Sequence, residues 1–171
     1  MSSNDKAYEL DQYYTKKDIA QMCLNTLDLS PYDLVVEPSA GEGVFYNLIN
    51  HPNKIGIDLE PKCEGVIEHD FLTWKLDKFP PKVLTIGAPP FGLGIGVGYQ
   101  LALDFIEHAS TFSTVIAFIL PNGFKKRRVN RRVPSNFCKL MDMDIRGDSF
   151  TFKGEPYDGY PCVWQIYMKR N

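Results

Sequence analysis

No stretch of this 171-residue chain approaches the roughly 20 consecutive apolar residues needed to cross a bilayer. The polar start Met1-Ser2-Ser3-Asn4-Asp5 also lacks the apolar segment of a secretory signal. A soluble, intracellular protein, cytoplasmic or nuclear and without a membrane partner, is expected. Cysteine is sparse. Cys23, Cys63, Cys138 and Cys162 are scattered with no Cys-x-x-Cys pair, which argues against a zinc knuckle or a dithiol redox motif. Reduced, buried thiols and no metal are the expectation. A formal net charge of -2 gives no overall signal for a polyanionic partner, although an average conceals local charge. Repeats, low-complexity tracts and interdomain linkers are missing as well. With 44% hydrophobic residues, the chain reads as one domain over residues 1–171, long enough to bury a core.

What is present alternates. Thr15 followed three residues later by Asp18 has the form of a helix cap, and Ile19, Ala20, Met22, Cys23 and Leu27 then recur at helical spacing. A helix from about Lys16 to Leu27 is predicted. After Ser30-Pro31, the run Leu34-Val35-Val36 reads as a buried strand, followed by a glycine-containing turn and a helix through Phe45, Leu48 and Ile49. Further strands are predicted at Lys54 to Asp58, Gly65 to Ile67 and Val83 to Gly87. A helix from Tyr99 to Ala109 and a continuously apolar strand from Val115 to Leu120 follow. Met143 to Phe152 and Val163 to Met168 are expected to form an antiparallel closing pair across the turn-rich segment Lys153 to Gly159. Strand-helix repetition implies an α/β fold with a mostly parallel sheet, whose ligands sit beyond the carboxyl ends of the strands.

Polar signals fall at those ends. Gly41 and Gly43 permit a sharp turn out of the first predicted strand and bring backbone N–H groups near a ligand. Asp58 ends the next strand, where a carboxylate can accept hydrogen bonds from both hydroxyls of a ribose. Asp70-Phe71 follows the third, and suits a carboxylate meeting an adenine amino group beside an aromatic surface. Each also has a plainer reading, as a strand-to-helix connection, a helix cap or a turn aspartate.

Taken in order, Asp11-Gln12-Tyr13-Tyr14-Thr15, Glu37-Pro38-Ser39-Ala40-Gly41-Glu42-Gly43-Val44-Phe45, Asp58, Asp70-Phe71 and Gly87-Ala88-Pro89-Pro90-Phe91-Gly92 resemble class I methyltransferases that methylate amino groups, especially the N6-adenine enzymes. The resemblance spans about Asp11 to Leu120. It implies a Rossmann-like methyltransferase fold and S-adenosylmethionine as cofactor. It also implies that Tyr14 and Thr15 close over the methionine end of the donor and that Glu37, Gly41 and Gly43 hold its amino acid and backbone side. By the same resemblance Asp58 holds its ribose, and Asp70 and Phe71 its adenine. A nicotinamide dehydrogenase is disfavoured, because a Pro-Pro-Phe turn has no role in hydride transfer.

In that family the fourth strand ends in Asn or Asp, then Pro-Pro, then Tyr or Phe. The polar side chain and the first proline's carbonyl accept the two N–H bonds of a conjugated, weakly nucleophilic amino group, while the ring stacks on the base. Here Pro89 supplies the carbonyl, Pro90 continues the turn and Phe91 offers the ring, but position 88 is alanine. An impaired enzyme is therefore expected. Gly92, Gly94, Gly96 and Gly98 lack the Lys and Ser/Thr of a phosphate-cradling loop, which excludes a nucleotide triphosphatase and leaves a flap or a plain loop.

Lys125, Lys126, Arg127, Arg128, Arg131 and Arg132 crowd after the fifth strand with no acidic residue between them, which points to phosphate contacts with DNA or RNA. Phe124 and Phe137 are read as core residues. A base inside a duplex cannot reach a recessed donor, so the target is flipped or unpaired. No separate module for reading sequence is visible, so a protein partner for specificity is one expectation. The alternatives are a protein glutamine side chain as substrate, or a catalytically silent binding subunit.

Overall fold

The computed structural model describes residues 13–92, 99–152, 154–157 and 161–171. In chain order its elements are β1 (Tyr13–Thr15), α1 (Lys17–Leu24), β2 (Leu34–Glu37), α2 (Val44–Leu48), β3 (Lys54–Asp58), β4 (Ile67–Glu68), β5 (Val83–Gly87), α3 (Gln100–Ser110), β6 (Val115–Pro121), a 3-10 turn (Asn122–Lys125), α4 (Arg127–Asn130), β7 (Phe137–Ile145), β8 (Phe150–Phe152), β9 (Glu155–Tyr157) and β10 (Cys162–Lys169). Seven strands form one sheet in the order β4-β3-β2-β5-β6-β10-β7. The pairs from β4 through β6 are parallel, and β10 runs antiparallel to both β6 and β7.

Alternating side chains explain why helices cover both faces. Val35, Leu84 and Ile86 meet Ile19, Ala20, Cys23 and Leu24 of α1 and Phe45 of α2. Val36, Ile57, Ile116 and Phe118 meet Ala102, Leu103, Phe105, Ile106 and Ala109 of α3. All seven residues of β6 are buried, as its unbroken apolar run requires at the centre of the sheet. Each such Leu, Ile or Phe contributes ~1.5–3 kcal/mol relative to an exposed side chain.

The chain turns outward through β3 and β4 on one side of β2, then continues through β5 and β6 on the other. The order therefore reverses between β2 and β5, and a crevice opens beyond their carboxyl ends. Glu37 and Ala88 stand there.

A second sheet, absent from the sequence reading, has the order β1-β8-β9 and is antiparallel throughout. It corrects two expectations. Thr15 does not cap α1; it belongs to β1 and pairs with Phe150, while the N-cap is Lys16, without a side-chain cap bond. Asp18 instead meets Arg146 at 3.0 Å. The expected strand from Met143 to Phe152 divides around Arg146, so that Phe137–Ile145 pairs with β10 while Phe150–Phe152 joins the small sheet. The third predicted strand shrinks to Ile67–Glu68, both exposed at the sheet edge. Lys153, Asp158, Gly159, Asp11, Gln12, Gly94, Gly96 and Gly98 lie outside the described residues.

Cys23 and Cys162 are buried, which pushes both thiols up to about 12 and makes them unreactive. Cys63 and Cys138 are only half-buried, contrary to expectation, because one lies in the loop after β3 and the other on the edge strand β7. Among the described residues no helix is long and apolar enough to cross a membrane, and no cluster of His, Cys, Asp and Glu suits a metal.

Candidate functional site

The crevice contains a cavity of about 250 Å³. Tyr14, Thr15, Glu37, Gly41, Asp58, Asp70, Phe71, Ala88 and Pro90 all line it. Segments far apart in sequence are thus brought together at one rim. Gly43, Pro89 and Phe91 are not in the lining; Pro89 is buried, and Phe91 is half-buried against Phe150 with ring centroids 6.3 Å apart.

At the centre is the turn between β2 and α2. Gly41 and Gly43 both have left-handed backbones, with φ of 52° and 84°, which L side chains rarely adopt. A Cβ on Gly41 would lie 2.8 Å from the Tyr14 ring, and one on Gly43 would lie 2.4 Å from the Cys63 sulfur. Gly43 therefore shapes the turn from behind rather than facing the cavity. The Gly41 N–H donates to Asp58 Oδ2 at 2.8 Å and its carbonyl accepts the Lys62 N–H at 3.1 Å. Asp58 Oδ1 accepts the Glu60 N–H at 2.8 Å. A carboxylate has about four acceptor positions, so both oxygens retain capacity toward the cavity.

Glu37 is only 2% exposed. Burial pushes its carboxyl up to about 8, the Asp58 charge adds to the rise, and the Ser39 N–H donating at 3.0 Å opposes it. Gly87 makes the space, since a Cβ there would lie 2.4 Å from Glu37 Oε1. Ser39 was not singled out in the sequence. Its hydroxyl donates to the Ala88 carbonyl at 3.0 Å, which ties the end of β2 to the end of β5.

Asp70 accepts the Leu72 N–H at 2.9 Å and shapes a turn. Phe71 lines the cavity from within the core. It is 2% exposed and packs among Trp74, Phe105, His108 and Phe112, with its closest centroid distance, to His108, at 4.9 Å. It forms part of a wall. The accessible apolar lining comes instead from Leu59, which is 53% exposed, together with Leu72 and Leu101. Leu59 directly follows Asp58, so its place was available from the strand end.

Across the mouth, Lys62 Nζ donates to the Tyr14 hydroxyl at 2.7 Å and stands 5.2 Å from the centre of that ring. Tyr13 stacks on Phe152 at 5.0 Å, fixing β1 to β8.

The six cations lie along the 3-10 turn, α4 and the residues after it, beyond the same end of the sheet. They do not line the cavity. All are exposed, but Lys125 meets Asp144 of β7 at 2.6 Å, so the segment is less purely basic in space than in sequence. Arg132 donates to the Gln100 side chain at the start of α3. Among the described residues Lys126, Arg127, Arg128 and Arg131 have no ion-pair partner. Phe124 and Phe137 are buried, as expected.

The chain matches no protein-family model and no curated protein. Solved structures do resemble it. A protein described as a candidate RNA methyltransferase from Pyrococcus horikoshii aligns over 95% of this chain and 88% of its own, with a TM-score of 0.71 and 17% identity. An S-adenosylmethionine-dependent methyltransferase from Clostridium acetobutylicum aligns over 91% of each chain, with a TM-score of 0.55 and 8% identity. Another from Anabaena variabilis covers 97% of this chain and 91% of its own, with a TM-score of 0.54 and 11% identity. With β10 inserted antiparallel beside β6 and the cavity at the β2/β5 reversal, the chain has a Rossmann-like methyltransferase fold.

Proposed function

We propose that the chain is a single-domain S-adenosylmethionine-dependent methyltransferase acting on an exocyclic adenine amino group of nucleic acid, and that Ala88 impairs it. The observation that carries this reading is the convergence on one cavity of a buried carboxyl, Glu37, a strand-end carboxylate, Asp58, and Ala88 and Pro90 of the turn that follows β5. The donor set fits the cofactor chemically. Glu37, whose carboxyl is pushed up to about 8 by burial, can ionise against an incoming ammonium group, Asp58 has acceptor capacity for vicinal hydroxyls, and Leu59, Leu72 and Phe105 give an apolar bed for a heterocycle. Tyr14 and Thr15 cover the methionine end, Gly41 and Gly43 shape the turn beneath it, and Asp70 borders the adenine, with Phe71 as its packed support. When bound, the cofactor supplies an electrophilic methyl group on a sulfonium.

The chain's own contribution at the acceptor end is orientation. By the resemblance, the Pro89 carbonyl accepts one amino N–H, Pro90 holds the turn and the Phe91 ring stacks on the base, which asks Pro89 and Phe91 to act from beside the cavity lining, where Phe91 packs edge-on against Phe150. The second N–H finds no acceptor on Ala88, and the Ala88 carbonyl is already occupied by Ser39. Adenine must be unpaired or flipped to reach this depth. The exposed cations Lys126, Arg127, Arg128, Arg131 and Arg132, with Lys125 partly neutralised, supply phosphate contacts, and the neighbour described as an RNA methyltransferase supports a nucleic-acid substrate.

The test is calorimetric titration with S-adenosylmethionine, then methyl transfer by the native chain and by Ala88→Asn to DNA, RNA and peptide. Binding with transfer to adenine only in the asparagine form supports the reading. Transfer to a peptide glutamine replaces the substrate, and donor binding without transfer in either form favours a silent binding subunit.

A further inference from the structure

We propose that Lys62 is a positioning residue that latches Tyr14 across the cavity mouth and sets how long a nucleoside methyl donor or its demethylated product stays bound. The inference rests on the reading of the cavity as the donor site. Two separate segments border the mouth: β1, with Tyr13, Tyr14 and Thr15, and the strand end and loop with Asp58, Leu59 and Glu60. Between them the bond from Lys62 Nζ to the Tyr14 hydroxyl, at 2.7 Å, is a direct side-chain link.

Lys62 is well placed for the task because its backbone is anchored. Its N–H donates to the Gly41 carbonyl at 3.1 Å, and Asp58 grips the N–H of the same glycine at 2.8 Å. The loop is thus fastened to the turn on both sides of one residue, and Tyr14 presses its ring on that residue's Cα, where no Cβ fits. The bond is charge-assisted, because its donor is an ammonium group, which stands beyond the hydroxyl and 5.2 Å from the ring centre. Glu42 and Glu60 stand near enough to favour the charged amine. The roof is fixed at its far side too, because Tyr13, Tyr14 and Thr15 pair with Phe152, Thr151 and Phe150. Tyr14 is therefore held between a sheet that cannot slide easily and one exposed amine that can let go. Opening at the Lys62 side costs one hydrogen bond, whereas opening at the β1 side disrupts a strand pairing. Ligand exchange follows the cheaper path.

The test measures association and release of S-adenosylmethionine and S-adenosylhomocysteine by stopped-flow displacement on the full chain. Lys62→Met should raise the release rate about tenfold, as expected for losing one hydrogen bond to a charged group, with little change in association rate. Tyr14→Phe should reproduce that effect, the double variant should be no faster than either single one, and Lys62→Arg should retain slow release. A purely structural role would lower the thermal midpoint without this kinetic pattern. Native release rates in Lys62→Met, or additive effects in the double variant, overturn the latch alone. Failure of the native chain to bind either compound overturns the donor-site reading and the latch with it.

Discussion

Around the turn at residues 38–43 polar side chains tie the backbone together, whereas the side chains of Ala88, Pro89, Pro90 and Phe91 are all apolar, and Ser39 reaches across to the Ala88 carbonyl. Asp58 holds Gly41 and Glu60, Lys62 holds Gly41 and Tyr14, and Glu37 holds Ser39. Ala88 and Phe91, by contrast, pack against the hydrophobic cluster shared with α1, α2 and Phe150. The first region is a hydrogen-bonded lattice in which most substitutions disturb several partners. The second is apolar packing in which one side chain changes without disturbing the frame. A change of side chain at position 88 is therefore expected to leave the fold intact.

The strongest way to break this comparison is to restore the acceptor end. Ala88→Asn should raise methyl transfer to adenine by about 100 to 1000-fold, the effect of adding one preorganised polar partner worth about 2.7 to 4 kcal/mol. Donor affinity should hardly change. Initial rates on unpaired and duplex substrates, with product identified by mass spectrometry, decide it, and equal rates in the two forms would remove residue 88 from the reaction.

A second test sharpens the electrostatics of the donor end. Glu37 is pushed up to about 8 in the folded protein from an ordinary 4.5, so the folded state holds more protons than the unfolded one between those values. Stability of the ligand-free protein should then fall as pH rises through that window, by at most about 1.4 kcal/mol per pH unit. Glu37→Gln should flatten the dependence and be the more stable form near pH 8. Thermal midpoints from pH 5 to 9 read this directly, and parallel curves for the two proteins would place the Glu37 carboxyl in a wetter setting.

Asp58→Ala should weaken donor binding by about 1 to 3 kcal/mol through loss of charge-assisted hydrogen bonds, partly by releasing the Gly41 turn. Calorimetry should show this while leaving oligonucleotide binding unchanged. A fall in both would mean that the two ends are coupled.

The smallest expected effect lies furthest from the cavity. Neutralising Arg127, Arg128, Arg131 and Arg132 should reduce the slope of log affinity against log salt for oligonucleotides, by about 0.7 to 0.9 for each phosphate contact removed. An unaltered slope would make the segment a solvated surface only.

The hydrogen-bonded end was also the legible one. Lys54–Asp58 and Val83–Gly87 match their predicted bounds because each is an apolar run stopped by a polar or turn residue. Gly41, Glu37 and Asp58 stand out in the sequence for the same reason, since strand ends and turn glycines leave local marks, and all three line the cavity. What failed depended on distant pairing. β1 and β8 are three residues each and find one another from opposite ends of the described chain, so no local periodicity announces them. Thr15 imitated a cap because a helix does begin two residues later. The depth of Phe71 is not legible locally, because its packing partners on α3 and at Phe112 lie far along the chain. Likewise, the Asp144 partner of Lys125 comes from a strand whose start at Phe137 was missed.

The position of β10 carries a consequence for how the protein is made. It follows every other strand among the described residues, yet it lies inside the sheet, bonded to β6 on one side and β7 on the other. During synthesis the amino-terminal strands emerge first, but β7 has no neighbour to join until Cys162–Lys169 has cleared the ribosome. Until then β6 and β7 both present open edges, one of them entirely apolar in its side chains, a combination that invites pairing with other chains. Completion is a late, long-range event, intrinsically slow to find. A nascent chain stalled short of Cys162 would be a sheet with a gap in it, and a substrate for chaperones.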